Sequence, residues 1–139
     1  MIFVNFKTYE QGSAESALSL VAIIEEVSQS TQIKIIPVVQ VVDAVSVVKS
    51  FQSEVWVQHV DPIEYGAHTG WVLPEALVAA GIRGTFLNHS EHKLSFEILK
   101  LTVERCRALE LKTLVFASNL EELKEILKLT PTYASYEPV

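Results

Sequence analysis

The sequence has 139 residues, 49% of them hydrophobic and 20% charged, with 17 acidic side chains against 11 basic ones and a formal charge of −6. That balance suits one folded domain with its own core and excludes a disordered chain. An acidic surface opposes phosphate backbones and anionic lipid, so neither a nucleic-acid nor a membrane partner is expected. The longest uncharged stretch, Tyr65–Pro74, is far below the roughly 20 residues of a membrane span. No basic segment precedes an apolar run at the N-terminus, and a lone cysteine, Cys106, excludes an intrachain disulfide. A cytoplasmic protein is expected.

Strand-like and helix-like segments alternate along the chain. Ile2–Phe6 reads as a strand, and Ser13–Ser30 as a helix with Ala17, Leu20, Val21, Ile24 and Val27 on one face. Ile33–Val39 is a near-continuous apolar run, as expected of a strand covered on both sides. Asp43 is placed to cap a short helix through Ser50, and Glu54–Gln58 returns as a strand. Pro62, Gly66 and Gly70 mark Asp61–Trp71 as a long loop. Leu73–Ala80 is a helix with Pro74 in its first turn and Gly81 at its end. Gly84–Asn88 is strand-like, Ser95–Leu109 helical and Lys112–Ala117 strand-like again. Asn119 caps a helix over Leu120–Leu129, with Glu122 completing a capping-box pattern, and Thr132–Tyr136 is a last strand.

Six strands at a mean spacing of about 26 residues, with helices between them, leave two architectures: an open doubly wound sheet or a closed (β/α)₈ barrel. Eight such units need about 208 residues, near the low end for barrels. The chain would then be one α/β domain over residues 1–139, an incomplete barrel of six parallel strands.

Polar residues gather where strands end. Asn5 and Lys7 close the first strand, His89 and Glu91 follow the fourth, and Glu137 follows the sixth. In a parallel barrel these ends open onto one face, which brings a cation, an imidazole and a carboxylate together. The set suits proton abstraction beside a carbonyl: a carboxylate takes the proton while imidazole and ammonium stabilise charge on oxygen. Plainer readings stand beside this one. Lys7 can be a solvated lysine, His89 a loop histidine, Ser90 and Glu91 first-turn residues, and Glu137 a strand end. A Schiff-base lysine at position 7, as in an aldolase, also fits. His59, Asp61 and His68 lie in or beside one loop without zinc-type spacing, so no metal is expected. No dinucleotide, Walker or nucleophile-elbow motif occurs, and no cofactor is expected.

Four segments carry a family resemblance. Asn5-Phe6-Lys7 resembles the N-x-K opening of triosephosphate isomerases, and Gly66-Ala67-His68-Thr69-Gly70 their third-loop motif. Asn88-His89-Ser90-Glu91 is similar to their H-S-E motif, and Tyr136-Glu137-Pro138-Val139 to the Y-E-P-V that opens their sixth loop. All four fall in the family's order, on the corresponding strands. Asn88 and the compact spacing resemble the archaeal-type branch; His68 and His92 depart from the Phe and Arg common in the family.

The resemblance implies a TIM barrel and an aldose–ketose isomerase of glycolysis and gluconeogenesis. Its substrates would be dihydroxyacetone phosphate and D-glyceraldehyde 3-phosphate, converted through an enediol(ate). It implies Glu137 as the base, His89 as a neutral electrophile at a helix N-terminus, and Lys7 as a substrate-binding cation. Asn5 would orient substrate, Glu91 would support Lys7, and Thr69 would reach across a subunit interface in a homo-oligomer, dimer or tetramer. The family's remaining phosphate-holding segments have no counterpart in these residues, so the 139-residue chain alone is expected to show little turnover. A lysine-dependent aldolase and an inactive fragment acting only in assembly are the competing expectations.

Overall fold

A computed structural model describes residues 1–138. Its strands are β1 (Ile2–Asn5), β2 (Ile35–Val39), β3 (Trp56–Val57), β4 (Gly84–Leu87), β5 (Lys112–Ala117) and β6 (Tyr133–Tyr136). Between them run α1 (Ala14–Thr31), α2 (Val41–Ser50), α3 (Pro74–Ala79), α4 (Phe96–Ala108) and α5 (Leu120–Lys128). Every neighbouring pair is parallel, and the strands lie side by side in chain order from β1 to β6.

This order decides between the two architectures. A doubly wound sheet reverses direction at a switch point, whereas monotonic order with right-handed crossovers puts every helix on one side. The helix side holds the larger core, with Val21 and Ile24 of α1, Val47 of α2, Leu99 and Val103 of α4 and Ile126 of α5 against Val39, Val57, Leu87 and Val115. The other face holds a second cluster of Ile36, Val38, Trp56, Phe86 and Leu114, packed with Phe3, Phe116 and Tyr133. Phe3 on β1 and Tyr133 on β6 sit at opposite ends of the strand order, yet their rings lie 5.8 Å apart. The sheet therefore curls about an aromatic interior, as a barrel does. Gly84 makes room for it, because a Cβ there would lie 2.3 Å from the Trp56 ring.

Several boundaries differ from the sequence expectation. β2 begins at Ile35 rather than Ile33, and β3 pairs only over Trp56–Val57, because its ladder to β2 starts at Val38. Asp43 does not cap α2. That helix begins at Val41, and Asp43 Oδ1 instead accepts from the Ala14 N–H at the start of α1 (3.2 Å). Val27 is exposed, leaving Ala17, Val21 and Ile24 as the buried stripe of α1. Asn119 does cap α5, but Glu122 accepts from the Ser118 N–H rather than from Asn119, so half of the expected box forms. Gly81 ends α3 at φ 87°, a conformation that favours glycine.

Candidate active site

Five of the six predicted site residues converge at the C-terminal ends of the strands. Asn5 ends β1, and its Oδ1 accepts from the Lys7 N–H at 3.0 Å. Lys7 has a positive φ of 51°, a conformation costly for a non-glycine residue. Besides Asn5, its backbone is held by Gln58, whose Nε2 donates to the Lys7 carbonyl at 2.7 Å. The Lys7 ammonium donates to Glu91 Oε1 at 2.8 Å. This hydrogen bond outweighs desolvation and raises the Lys7 pKa, while the same contact lowers that of Glu91. An amine held protonated is a poor Schiff-base nucleophile, so the local electrostatics oppose the aldolase reading.

His89 follows β4 on a tight turn in which the His92 N–H donates to the His89 carbonyl (2.8 Å). Helix α4 begins only at Phe96, so His89 does not sit at a helix N-terminus and a helix dipole does not act on it as expected. Its ring is oriented by a local contact instead: the Glu91 N–H donates to Nδ1 at 3.2 Å, which leaves the proton on Nε2. Nε2 faces Glu137 Oε2 at 3.7 Å, and Phe116 packs edge-on against the ring at a centroid distance of 4.9 Å. Glu137 is carried by β6; its N–H donates to the Ala117 carbonyl (2.8 Å) and its Oε2 accepts from Ser90 Oγ at 3.3 Å.

A cleft of about 390 Å³ opens here, lined by Asn5, Lys7, Gln58, His89 and Glu91, with Phe86 at its floor. His59 and His92 stand in its wall with their rings stacked 4.3 Å apart. His59 Nε2 lies 3.0 Å from Asp61 Oδ1, whose other oxygen accepts from the Val72 N–H. His68 does not join them: its ring lies near Trp71, and no metal-holding group of three ligands occurs among the described residues. Thr69 sits on the exposed 61–71 loop, outside the cleft lining.

The sequence expectation left out Gln58 and gave Ser90, named within the H-S-E motif or as a first-turn residue, no role of its own. Ser90 lies inside the H-S-E motif, so a signal for it was present. Gln58 had none, because its partner is a backbone carbonyl 51 residues away.

The model of the family described as triosephosphate isomerase matches residues 1–134. The chain belongs to the triosephosphate isomerase family. It is 34% identical over 138 residues to the triosephosphate isomerase of Methanocaldococcus jannaschii, covering 99% of this chain and 63% of that one. To the enzyme of the same name from Methanoculleus marisnigri it is 37% identical over 137 residues, covering 99% of this chain and 62% of the relative. The chain thus spans somewhat over three-fifths of the length of these curated, archaeal relatives, in keeping with the archaeal-type resemblance of its motifs. The crystal structure of triosephosphate isomerase from Bartonella henselae superposes with a TM-score of 0.79 at 17% identity, over all of this chain and 67% of that one. That likeness establishes the TIM-barrel fold. No helix among the described residues is long and apolar enough to cross a membrane.

Proposed function

We propose that the protein carrying this chain interconverts dihydroxyacetone phosphate and D-glyceraldehyde 3-phosphate. The observation that supports this best is that Lys7 and His89, from the ends of β1 and β4, line one cleft in a family member, with Glu137 Oε2, just after β6, 3.7 Å from His89 Nε2. Isomerisation moves a proton between two adjacent carbons and passes through an enediol(ate). It needs a carboxylate beside the carbon and fixed positive potential at the oxygens. Glu137 serves as the base, shuttling the proton between C1 and C2. His89, with its proton on Nε2, donates toward the substrate oxygens, and Lys7 supplies the cation. Asn5 orients substrate and secures Lys7 through its N–H. Glu91 keeps the ammonium charged and in place.

The same reading makes the protein a cytoplasmic enzyme of glycolysis and gluconeogenesis that needs no cofactor. It also makes it a homo-oligomer, dimer or tetramer, in which Thr69 on the 61–71 loop reaches a second subunit.

The test is a coupled-dehydrogenase assay with either triose phosphate. The chain is supplied with the C-terminal portion of the Methanoculleus marisnigri relative, which lends the segments outside the matched span. Turnover is expected from the mixture. Glu137→Asp should then lower kcat by a factor of about 10², with little change in KM, because shortening the arm withdraws the base from its proton. Turnover indifferent to Glu137→Asp, or none with either substrate, overturns the proposal.

A further inference from the structure

His89 sits on a turn that is held from the neighbouring β5–α5 segment, and the residue through which it is held is Asn88. The β4–β5 ladder runs only to Leu87 opposite Val115. At Asn88 the backbone enters the left-handed region at φ 60°, which asparagine tolerates better than most residues, and it leaves the ladder. The side chain takes over, buried at 1% exposure. Its Nδ2 donates to the Phe116 carbonyl at 2.9 Å, the position where a further ladder bond would have formed, and also to Glu122 Oε1 at 2.8 Å. Its Oδ1 accepts from the Leu94 N–H at 3.0 Å, closing the loop that carries His89.

Glu122 is itself secured from the other side. Oε2 accepts from the Ser118 N–H at 2.7 Å, and Oε1 accepts from the Lys93 ammonium, which also reaches Ser118 Oγ. Burial pushes its pKa up, but Lys93, the Ser118 N–H and Asn88 together outweigh that, so the carboxylate stays ionised as an acceptor. The network ties the β4–α4 turn to the β5–α5 turn, and Phe116, whose carbonyl it uses, is the ring that packs against His89.

We propose that Asn88 and Glu122 act as a positioning pair for His89, holding its ring against Phe116 with Nε2 toward Glu137. Neither residue lines the cleft. The pair deepens the isomerase reading, on which its catalytic consequence rests, but its structural effect is measurable without turnover.

The experiment is NMR of the full 139-residue chain with labelled histidine and phenylalanine, reading the ring-to-ring cross-peaks between His89 and Phe116. Asn88→Ala and Glu122→Ala are expected to abolish them. Glu122→Gln, which keeps one acceptor oxygen toward Asn88 and loses the one toward the Ser118 N–H, is expected to retain them at reduced intensity. Ile126→Ala removes a buried side chain of α5 without touching the network; it is expected to lower Tm yet keep the cross-peaks. If Asn88→Ala does not fold, the comparison of the two Glu122 variants decides. Cross-peaks that survive Glu122→Ala, vanish equally in Glu122→Gln, or vanish in Ile126→Ala overturn the proposal. None of these readings requires isomerase activity, so absence of turnover would count against the enzyme assignment alone.

Discussion

Lys7 and Glu91 are 84 residues apart in the chain, and the ammonium of one donates to the carboxylate of the other at 2.8 Å. This contact joins the first strand to the turn after the fourth and keeps a charged amine at the cleft mouth. Because the Glu91 hydrogen bond is the main reason the Lys7 pKa is raised, Glu91→Gln is expected to lower it. An NMR titration of the Lys7 side chain in wild type and variant reads the shift directly. An unchanged midpoint would show that the pair exerts no hold on the amine. For the same reason, borohydride added with dihydroxyacetone phosphate is expected to trap no adduct on Lys7, checked by mass spectrometry.

At the opposite end of the sheet, Glu54 accepts from Lys34, Lys112 and the Trp56 indole N–H. Burial alone would push its pKa up, but these three donors bring it from 4.5 down to about 2. A carboxyl whose folded pKa is depressed stabilises the fold above its unfolded value, and that contribution drains away as pH falls toward the folded one. The stability advantage of wild type over Glu54→Gln should therefore be full above pH 4.5, shrink as pH falls toward 2 and vanish below it. With both lysines about half exposed, its size is on the order of 1–2 kcal/mol. Urea unfolding of both proteins across that range measures it, and a gap that stays constant with pH would contradict the assignment.

Gly84→Ala tests the aromatic interior. The added Cβ would meet the Trp56 ring at 2.3 Å, and Trp56 is fully buried with Phe3 and Tyr133 around it. Overpacking of this kind costs about 1–3 kcal/mol, or more where the neighbour cannot turn aside. Thermal melting should show a lowered Tm together with altered indole fluorescence. An unperturbed Tm would mean that Trp56 has room to move.

Cys106 lies wholly buried on α4, and burial pushes its thiol pKa up to about 12. The thiolate is the reactive form, so the folded protein should resist thiol reagents at pH 8 and label only through opening of the structure. The labelling rate measured against urea concentration should follow unfolding. Rapid labelling in native buffer would show that the α4 face opens locally.

The alternation of strands and helices was legible in the sequence because buried parallel strands are apolar on both faces, while covering helices carry a stripe of period 3.6. The polar strand ends were legible for a related reason: Asn5, Lys7, His89, Glu91 and Glu137 break apolar runs at the points where the chain leaves the core. Local chemistry was enough to place Gly81 at the end of α3 and Asn119 at the start of α5. Only tertiary structure chose the barrel-type sheet over a doubly wound one, since strand order is set by hydrogen bonds between segments tens of residues apart. It also sent Asp43 to α1 instead of its own helix, and shortened β3 to the two residues that have a partner. Finally, it put His89 on a turn well ahead of α4, because Asn88 adopts a left-handed conformation that its bonds to Phe116, Glu122 and Leu94 sustain. A periodicity records which residues face a core. It carries no record of which distant carbonyl will accept a side chain's proton, and in this protein those long-range bonds orient the site.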